Sequence, residues 1–550
     1  MGRKKRNIVL EKIKLTDAGS LGKSISKKEG EKIIFTKNGV PGDIVDIRVR
    51  KKRKSYLEGD IIKYHKYSSK RINPKCSHFE LCGGCSWQNM NYEDQLKYKD
   101  KEVTENLNRI GKTEGYIKLP IIKSEKTYYY RNKMEFSFSN SRWITEKEIY
   151  EGNSIRNKNA LGFHKSGMWS KVIDIEKCFL QANISNKIRN FIKKKAEELK
   201  LDFFDLIKQK GDIRNLMIRT TTTKEIMILI QFYKFSEKSK KLLQCIESEF
   251  KEIQSILYVI NKKANDTIYD LDIKCFSGVN YITEKINDLS FKISAKSFFQ
   301  TNSFQTRKLY NIVKKFADLK GNETVYDLYC GIGTISLFLA KDAKKIVGIE
   351  TVEDAIISAK SNAKLNNISN CEFIKGDVKD IINKPIRNHK NPEIIIVDPP
   401  RNGLDKSVIH SLIKLSPDKI IYVSCNSSTQ ARDIIDLKDY VFDVENDLLT
   451  YDLLLKGENG SCSFIGDGLV KYIPNPGFPI GHDDGFDTCS FKSNDGYGDS
   501  IEGIINIVVR PIGVITQAFD HRAIDGAYSA AFLKRLKDII ENHDWTSLLS

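Results

Sequence analysis

The 550-residue sequence has no apolar run that approaches the roughly 20 residues of a membrane-spanning helix. Its first residues, MGRKKRNIVLEKIK, also lack an apolar segment after the charges, so we do not expect a secretory signal peptide. These absences predict a cytoplasmic protein without a membrane partner. In that compartment the 11 cysteines are candidates for metal ligands, nucleophiles or core residues before disulfides.

Acidic residues are scarce at the start of the chain and abundant at its end. Residues 1–70 contain 20 Lys and Arg against 8 Asp and Glu. This surplus favours a polyanionic partner such as nucleic acid, although lysine-rich composition alone produces the same balance. Residues 458–550 contain 7 Lys and Arg against 13 Asp and Glu, and 11 of the 34 glycines. The change indicates a different origin for the C-terminal segment.

The first 65 residues contain short alternating apolar segments separated by the turn signals DAGSLGKS and NGVPGD. This pattern predicts a small all-β barrel with basic strands. The run Arg50–Lys54 would contact phosphate and Tyr56 would stack on a base, unless the run is simply a solvated edge strand. The stretches LTDAGSLGKSI and VPGDIVDIRVRKKRKSY resemble the TRAM domain, an OB-like RNA-binding module, which we place at residues 1–68.

Three cysteines, Cys76, Cys82 and Cys85, follow in the spacing C-x5-C-x2-C, with two glycines between the second and third. This cluster suits a metal ion or an iron–sulfur cluster, and Cys178 is the best candidate for a fourth ligand. Spacing alone leaves zinc, a cluster and unligated thiols open. The segment CGGCSWQ resembles the 4Fe–4S site of bacterial rRNA uracil-5-methyltransferases, whose fourth ligand falls in a segment like GFHKSGMWSKVIDIEKC. The resemblance implies a 4Fe–4S cluster that orders loops and supports RNA contact.

We expect residues 69–290 to form a central α+β domain that contains these cysteines. Residues 93–111 have the pattern of an amphipathic helix, which we expect to pack on the catalytic domain. The run Tyr128–Tyr130, beside Arg131 and Lys133, starts a predicted strand and mixes aromatic rings with cations. It favours an RNA surface about as much as ordinary strand packing.

The segment TVYDLYCGIGTISLFLA predicts a strand, a tight turn at Gly331 and Gly333, and a helix. The next strand, KIVGIE, ends at Glu350, 19 residues after Gly331, where a carboxylate can bind ribose hydroxyls. The turn is shorter than a dinucleotide fingerprint, so S-adenosylmethionine fits better than NAD. Asp377 and Asp398 end two further strands. We therefore predict a Rossmann-like class I methyltransferase domain at residues 291–456.

Two short apolar strands, EIIIVD and KIIYVSC, end at Asp398 and Cys425. Open α/β sheets bind their ligands at the carboxyl ends of strands. A lone cysteine in such a place is usually a small core residue. Here Arg401 follows Asp398 closely, and a cation lowers the pKa of a neighbouring thiol. The pair of strand ends therefore favours a nucleophilic cysteine.

The stretches FFQTNSFQ, DLYCGIGTISL, VGIE, DPPRNGLD and YVSCNSSTQARD resemble the RNA uracil-5-methyltransferases in order and spacing. With the TRAM-like and CGGC segments, they resemble the bacterial 23S rRNA branch over about residues 7–445. The resemblance implies that Cys425 is the nucleophile, which adds to uracil C6 so that C5 can attack the sulfonium methyl. It also implies cofactor-binding residues, namely Gln300, Tyr329, Glu350 and Asp398, with Thr334 and Asp377 as further candidates. A tRNA substrate is the alternative, although that branch generally lacks the barrel and the cysteine cluster.

The resemblance stops after the nucleophile. Family members continue to a segment like DMFPxTxHVE, whose Glu removes the C5 proton, whereas this chain has VENDLLTYDLLLKGENGS. Three acids lie nearby without a matching motif, namely Glu445, Asp452 and Glu458. We therefore expect impaired turnover, with slow release of the product.

The last segment, IVVRPIGVITQAFDHRAIDGAYSAAFLKRLKDIIEN, resembles the C-terminal end of the dihydrolipoamide acyltransferase catalytic domain. Its motif DHR-x-x-DG lies at Asp520–Gly526, but only a minority of that domain is matched, so we do not expect acyl transfer. The chain is thus interpreted as a multi-domain α/β protein, a methyltransferase truncated near residue 450 and joined to an α+β fragment at 457–550. We expect a monomer, and oligomerisation through the tail is the alternative. The alternatives are a non-catalytic RNA-binding protein and a lipoyl-dependent acyltransferase fusion.

Overall fold

The structure is a computed structural model that describes residues 8–27, 32–113, 116–150, 158–382 and 391–439, and six strands between 450 and 516. The described residues form two compact units. The first contains residues up to 104 and residues 118–309, and the second contains residues 105–117 and 310–517 apart from the undescribed positions. No helix in the described part of the chain is long and apolar enough to cross a membrane.

The N-terminal module of the first unit is a six-stranded sheet. Its strands are β1 (Val9–Lys14), β2 (Asp17–Gly19), β3 (Lys23–Ser26), β4 (Ile33–Thr36), β5 (Ile44–Lys52) and β6 (Tyr56–Lys66), in the order β1-β5-β6-β4-β3-β2. Strand β5 alternates buried and half-buried residues in its first half and exposes its basic second half. The buried side chains Leu15, Ile34, Val45 and Ile47 form the core of this module.

The central part of the first unit is a seven-stranded sheet. Its strands are β7 (Lys133–Ser139), β8 (Ala160–Lys165), β9 (Met168–Asp174), β10 (Ile213–Thr220), β11 (Ile226–Phe232), β12 (Ile253–Ile260) and β13 (Lys274–Gly278), in the order β13-β12-β11-β10-β7-β8-β9. All seven residues of β11, IMILIQF, are buried, as expected for a central strand. A hairpin of β14 (Tyr281–Ile286) and β15 (Leu289–Ser294) follows.

Four helices begin in the first unit: α1 (Tyr92–Arg109), α2 (Glu146–Tyr150), α3 (Asn183–Glu198) and α4 (Glu237–Glu249). Apolar residues of α3 and α4 recur at helical spacing and pack into the core under the sheet, for example Ile188, Ile192, Leu242 and Ile246. The predicted strand that starts at the Tyr128 run is shorter than expected, because β7 begins only at Lys133.

The second unit contains a sheet of parallel strands alternating with helices. After α5 (Ser303–Ala317), which begins in the first unit, come β16 (Thr324–Leu328), α6 (Thr334–Leu339), β17 (Lys345–Glu350), α7 (Glu353–Leu365), β18 (Cys371–Lys375), α8 (Val378–Ile382), β19 (Ile394–Val397), α9 (Lys406–Leu415), β20 (Lys419–Ser424) and α10 (Ser427–Asp439). The sheet order is β18-β17-β16-β19-β20, followed by one strand from the C-terminal segment. This is the doubly wound arrangement that the alternating pattern predicts.

The C-terminal segment contributes β21 (Thr450–Leu455), β22 (Gly460–Gly466), β23 (Leu469–Pro474), β24 (Phe486–Asn494), β25 (Ile501–Val508) and β26 (Ile512–Thr516). Strands β21, β24 and β25 form one sheet, and β22 and β23 form a hairpin. Strand β26 pairs in parallel with β20, from Ile420–Ile512 to Ser424–Thr516. The sheet of the second unit therefore includes a strand from the segment that we set apart by composition. The DHR-x-x-DG motif lies outside the described residues.

Candidate active site and cysteine centre

The carboxyl ends of the parallel strands bring most of the predicted site residues to one edge of the sheet. Strands β16 to β20 pair in parallel in register, so their last residues share that edge. Five predicted residues lie at or just beyond these ends, and a sixth begins α6: Tyr329, Glu350, Asp377, Asp398, Cys425 and Thr334. This edge is where open α/β sheets bind ligands.

The glycine turn after β16 has an unusual backbone conformation. Tyr329, Gly331 and Gly333 have φ values of +66°, +55° and +77°. A side chain at Gly333 would place its β-carbon 2.8 Å from the Phe373 ring. Glycine is therefore required at this position both for its positive φ and for the close approach of β18.

Glu350 fixes the shape of this turn. One carboxylate oxygen accepts a hydrogen bond from the Gly331 N–H at 3.2 Å, and the other accepts from the Val352 N–H at 2.9 Å. The carboxylate is half-buried at the tip of β17, beside the glycine turn. Its position suits an acceptor for ribose hydroxyls.

Asp327, which we did not single out from the sequence, is a buried carboxyl group in β16. Its Oδ2 accepts hydrogen bonds from the Ser336 N–H at 3.0 Å and the Ser336 hydroxyl at 2.5 Å. Burial raises the pKa of Asp327 to about 7. The sequence does contain one indication of this residue, namely an acid inside an otherwise apolar strand. Burial of an acid costs free energy unless the group is hydrogen-bonded. Asp327 ties β16 to the start of α6, where the Thr334 hydroxyl accepts from Tyr310 at 2.8 Å.

Asp398 and Cys425 lie at the ends of the adjacent strands β19 and β20. Burial, followed by the negative charge of Asp327, raises the pKa of Asp398 to about 7. The Cys425 thiol is half-buried, and burial together with the charge of Asp398 raises its pKa. The Arg401 guanidinium hydrogen-bonds the thiol and lowers the pKa, as the sequence predicts, but this effect is the smaller one. The expectation that Arg401 lowers the pKa of Cys425 below its ordinary value is therefore corrected, because burial and the charge of Asp398 outweigh the cation.

The loops after these two strands are bound to each other. The carbonyl oxygen of Arg401 accepts hydrogen bonds from the Asn426 side-chain amide at 3.0 Å and from the Thr429 hydroxyl at 3.1 Å. Asn426 follows Cys425 directly, so the position of the cation is coupled to the position of the thiol. Both partners lie in the stretch YVSCNSSTQARD, but no pattern in that stretch indicates their contact with Arg401.

Asp433 of α10 is hydrogen-bonded to the loop that carries Arg401 and to strand β20. Its Oδ2 accepts from the Leu404 N–H at 2.7 Å and from the Tyr422 hydroxyl at 2.6 Å. A side chain on Gly403, which has a φ of +77°, would meet this oxygen at 2.3 Å. Asp433 is fully buried and thus joins strand β20 to the loop that presents Arg401.

The C-terminal end of α1 also contacts the loop after Cys425. The Asn106 side-chain amide donates to the Ser427 hydroxyl at 2.8 Å. A β-carbon at Gly111, two residues beyond α1, would lie 3.3 Å from the carbonyl oxygen of Ala431. These residues all belong to the second unit.

Gln300 is the one predicted cofactor residue that belongs to the first unit. It is buried, and its carbonyl oxygen accepts from the Asn132 side-chain amide at 2.8 Å.

The four predicted cluster cysteines line one cavity of the first unit: Cys76, Cys82, Cys85 and Cys178. Two sulfurs accept hydrogen bonds, from the Gly84 N–H to Cys82 at 3.3 Å and from the Gln88 amide to Cys85 at 3.1 Å. Burial raises the pKa of Cys76 and of Cys178. Within the described residues no three His, Cys, Asp or Glu side chains converge on a position for a single metal ion. The four cysteines thus line one cavity, but their side chains do not converge on the position of a single metal ion.

The Cys178 loop is held by α3. The Asn186 side chain accepts from the Cys178 N–H at 2.8 Å and donates to the Cys178 carbonyl oxygen at 2.9 Å. Arg189 donates to Asn186 at 3.0 Å and to the Glu176 carbonyl oxygen at 2.8 Å. Cys178 therefore has a fixed backbone position, although no sequence pattern indicates these contacts.

Comparison with protein families gives three matches. The model for tRNA (uracil-5-)-methyltransferases matches residues 91–447, and the TRAM domain matches residues 11–62. The catalytic domain of 2-oxoacid dehydrogenase acyltransferases matches residues 497–548. The predicted resemblances to these families are confirmed.

Curated relatives agree with this assignment. An RNA methyltransferase of Bacteroides thetaiotaomicron, itself described as uncharacterized, is 46% identical over 75% of this chain and 92% of its own length. A similarly described protein of Porphyromonas gingivalis is 44% identical over 77% of this chain and 92% of its own.

A solved structure is also similar. The tRNA (uracil-54, C5)-methyltransferase of Pyrococcus abyssi, in complex with S-adenosyl-L-homocysteine, has a TM-score of 0.60 and 26% identity. The match covers 80% of this chain and 95% of the other. The matched family covers more than half of the sequence and includes the strand ends described above. The chain therefore belongs to the tRNA (uracil-5-)-methyltransferase family and is an RNA methyltransferase.

Proposed function

We propose that the protein transfers a methyl group from S-adenosylmethionine to C5 of a uridine in RNA, through a covalent adduct of Cys425. The observation that carries this proposal is the pair of strand ends at Asp398 and Cys425, with Arg401 hydrogen-bonded to the thiol. A thiol, a cation and a carboxyl group then lie beside the edge of the sheet that would hold the cofactor.

The chemistry requires a nucleophile because C5 of uracil does not attack a methyl group unaided. Addition of the Cys425 thiolate to C6 turns C5 into an enolate-like carbon, which takes the methyl group and releases S-adenosylhomocysteine. Arg401 stabilises the thiolate. Asp398 has a pKa of about 7, so its protonated form is available near neutral pH to hydrogen-bond the uracil edge and stabilise the enolate oxygen.

Loss of the C5 proton completes the reaction, after which C6 releases the thiolate. The motif that supplies this base in the family is missing from the sequence. Glu445 and Glu458 lie outside the described residues, and Asp452 lies on β21. We infer that the adduct forms faster than it resolves.

The cofactor would be held by the glycine turn and the neighbouring strand ends. Glu350 is the ribose acceptor, Tyr329 and Thr334 flank the turn, and Asp377 lies at the end of β18. Asp398 completes the proposed set in the second unit, and the role of Gln300 stays a prediction of the sequence resemblance. The hydrogen bonds of Glu350 to the turn support its role, because they hold an acceptor in place before the cofactor arrives.

A 4Fe–4S cluster would be held by Cys76, Cys82, Cys85 and Cys178. A cluster is larger than a single ion, so its ligands are expected around a cavity and not at one point. Donors to the sulfurs of Cys82 and Cys85 also fit, because hydrogen bonds to sulfur are common at such sites. The cluster would tie the cysteine segment to the Cys178 loop, and zinc is the alternative occupant.

Two RNA substrates are candidates. The TRAM domain and the cysteine segment favour 23S rRNA, as in the branch that the sequence resembles. The similar Pyrococcus abyssi structure is a tRNA enzyme, and its match extends well beyond the catalytic segment. This coverage favours tRNA as the second candidate. It also weakens the argument against tRNA, which was that the tRNA branch generally lacks the barrel and the cysteine cluster.

The experiment uses anaerobically purified protein, methyl-labelled S-adenosylmethionine, and either 23S rRNA or tRNA. Free 5-methyluridine and protein–RNA adduct are measured together, with Cys425→Ala as the control. Adduct or product with one RNA and not the other identifies the substrate. A signal that persists in Cys425→Ala would exclude the proposed nucleophile, and no signal with either RNA would contradict the proposed reaction.

A further inference from the structure

The hairpin of β8 and β9 exposes two large apolar side chains at its tip. Trp169 has 67% of its surface exposed and Met168 has 47%. The turn between the strands contains Gly167, which has a φ of +81°. An indole so exposed on a sheet edge loses hydrophobic stabilisation that a bound partner could restore.

The tip of this hairpin is basic. Residues 152–173 contain no Asp or Glu, and Asp174, the acid that ends β9, is paired with Lys193. Lys37, from the turn after β4 of the N-terminal module, donates its ammonium group to the Ser166 hydroxyl at 3.0 Å. Lys165 directly precedes Ser166 in the chain and pairs with Met168 across the hairpin. The hairpin tip therefore carries two cations, Lys37 and Lys165, to which an anionic ligand could bind.

Contacts within the first unit hold the backbone of Trp169 in place. One ring nitrogen of His164 is 2.5 Å from the carbonyl oxygen of Trp169, and the other is 3.1 Å from the Ser137 hydroxyl. The ammonium group of Lys165 lies 5.6 Å from the centre of the Trp143 ring. The exposed ring is thus presented on a supported strand.

We propose that Trp169, Lys37 and Lys165 form a binding site for an unpaired nucleotide of RNA, in which the indole stacks on the base and the two ammonium groups bind phosphate. We name these three residues the hairpin platform. An exposed aromatic ring at the same hairpin tip as two cations suits single-stranded RNA, because a paired base offers no free face. The proposal rests on the proposed function for the identity of the ligand as RNA, and it adds a contact in the first unit, separate from the strand-end residues.

The test measures the affinity of the full chain for a labelled, unstructured RNA oligonucleotide and for a duplex of the same sequence. Trp169→Ala should weaken binding of the single strand about 5- to 150-fold, which is the range for one stacked base. Trp169→Phe should keep most of the affinity. Met168→Ala is the matched control, since it removes an exposed side chain from the same hairpin tip.

Lysine substitutions supply an independent measurement. Lys37→Ala and Lys165→Ala should each reduce the slope of log affinity against log salt by about 0.7, as expected for one phosphate contact on a single strand. Unchanged affinity in Trp169→Ala, or equal losses in Trp169→Ala and Met168→Ala, would overturn the hairpin platform. Normal methyl transfer alongside such a result would leave the proposed function standing, whereas a wild-type chain that binds neither RNA would contradict both.

Discussion

Replacement of Asp433 by alanine should loosen the loop that carries Arg401. The substitution removes the acceptor of two buried donors, the Leu404 N–H and the Tyr422 hydroxyl. A buried donor left without a partner costs about 1–3 kcal/mol, so the two together should cost about 2–6 kcal/mol. That is a large share of the 5–15 kcal/mol by which a typical protein is stable.

The assay is hydrogen exchange of peptides from the second unit, together with the rate of adduct formation. Asp433→Ala should lose protection around residues 401–404 and in β20, and should form the adduct more slowly because Arg401 is no longer fixed. Asp436→Ala, one turn further along α10 and only partly buried, is the matched control and should stay within about 0.5 kcal/mol of the wild type. Equal protection in the two variants would refute the anchoring role.

Three further predictions concern the cofactor turn, the thiol and the cysteine centre. Arg401→Gln removes a group that lowers the pKa of Cys425, so the pH profile of single-turnover adduct formation should shift to higher pH; an unshifted profile would contradict the contact. Gly333→Ala should weaken cofactor binding at least tenfold, as measured by calorimetry. The new β-carbon would lie 2.8 Å from the Phe373 ring, at a residue whose φ is +77°. Wild-type affinity in this variant would show that the turn adapts. Asn186→Ala removes both side-chain hydrogen bonds to the Cys178 backbone. A chelator should therefore remove the bound metal faster from this variant, as measured by absorbance. An unchanged rate would mean that other contacts hold the loop.

The arrangement of the catalytic edge could be predicted from the sequence because its determinants are local. Each apolar strand is short and ends in a polar residue, and parallel pairing places those ends together whatever the details of packing. The glycine turn was predictable for the same reason, since Gly331 and Gly333 have the positive φ values that their spacing after β16 suggests.

Other features depend on contacts that the sequence does not display. Asp327 and Asp433 are buried acids that accept hydrogen bonds from donors 9 to 29 residues away. Asp433 also pairs with its neighbour Arg432, but an adjacent cation does not distinguish it from a solvated acid on a helix. The direction in which the pKa of Cys425 shifts also could not be predicted without the fold, because burial raises the pKa by more than the single cation lowers it. In the C-terminal segment, composition indicated a separate fragment, yet β26 joins the sheet beside β20.

The most direct test of the proposed mechanism is mass spectrometry of the protein–RNA adduct after digestion of both partners. We predict a methylated uridine attached to the peptide that contains Cys425, lost in Cys425→Ala and retained when Cys330, the buried cysteine of the glycine turn, is replaced by alanine. Methyl transfer that continues in Cys425→Ala, or an adduct on another cysteine, would contradict the assignment of the nucleophile.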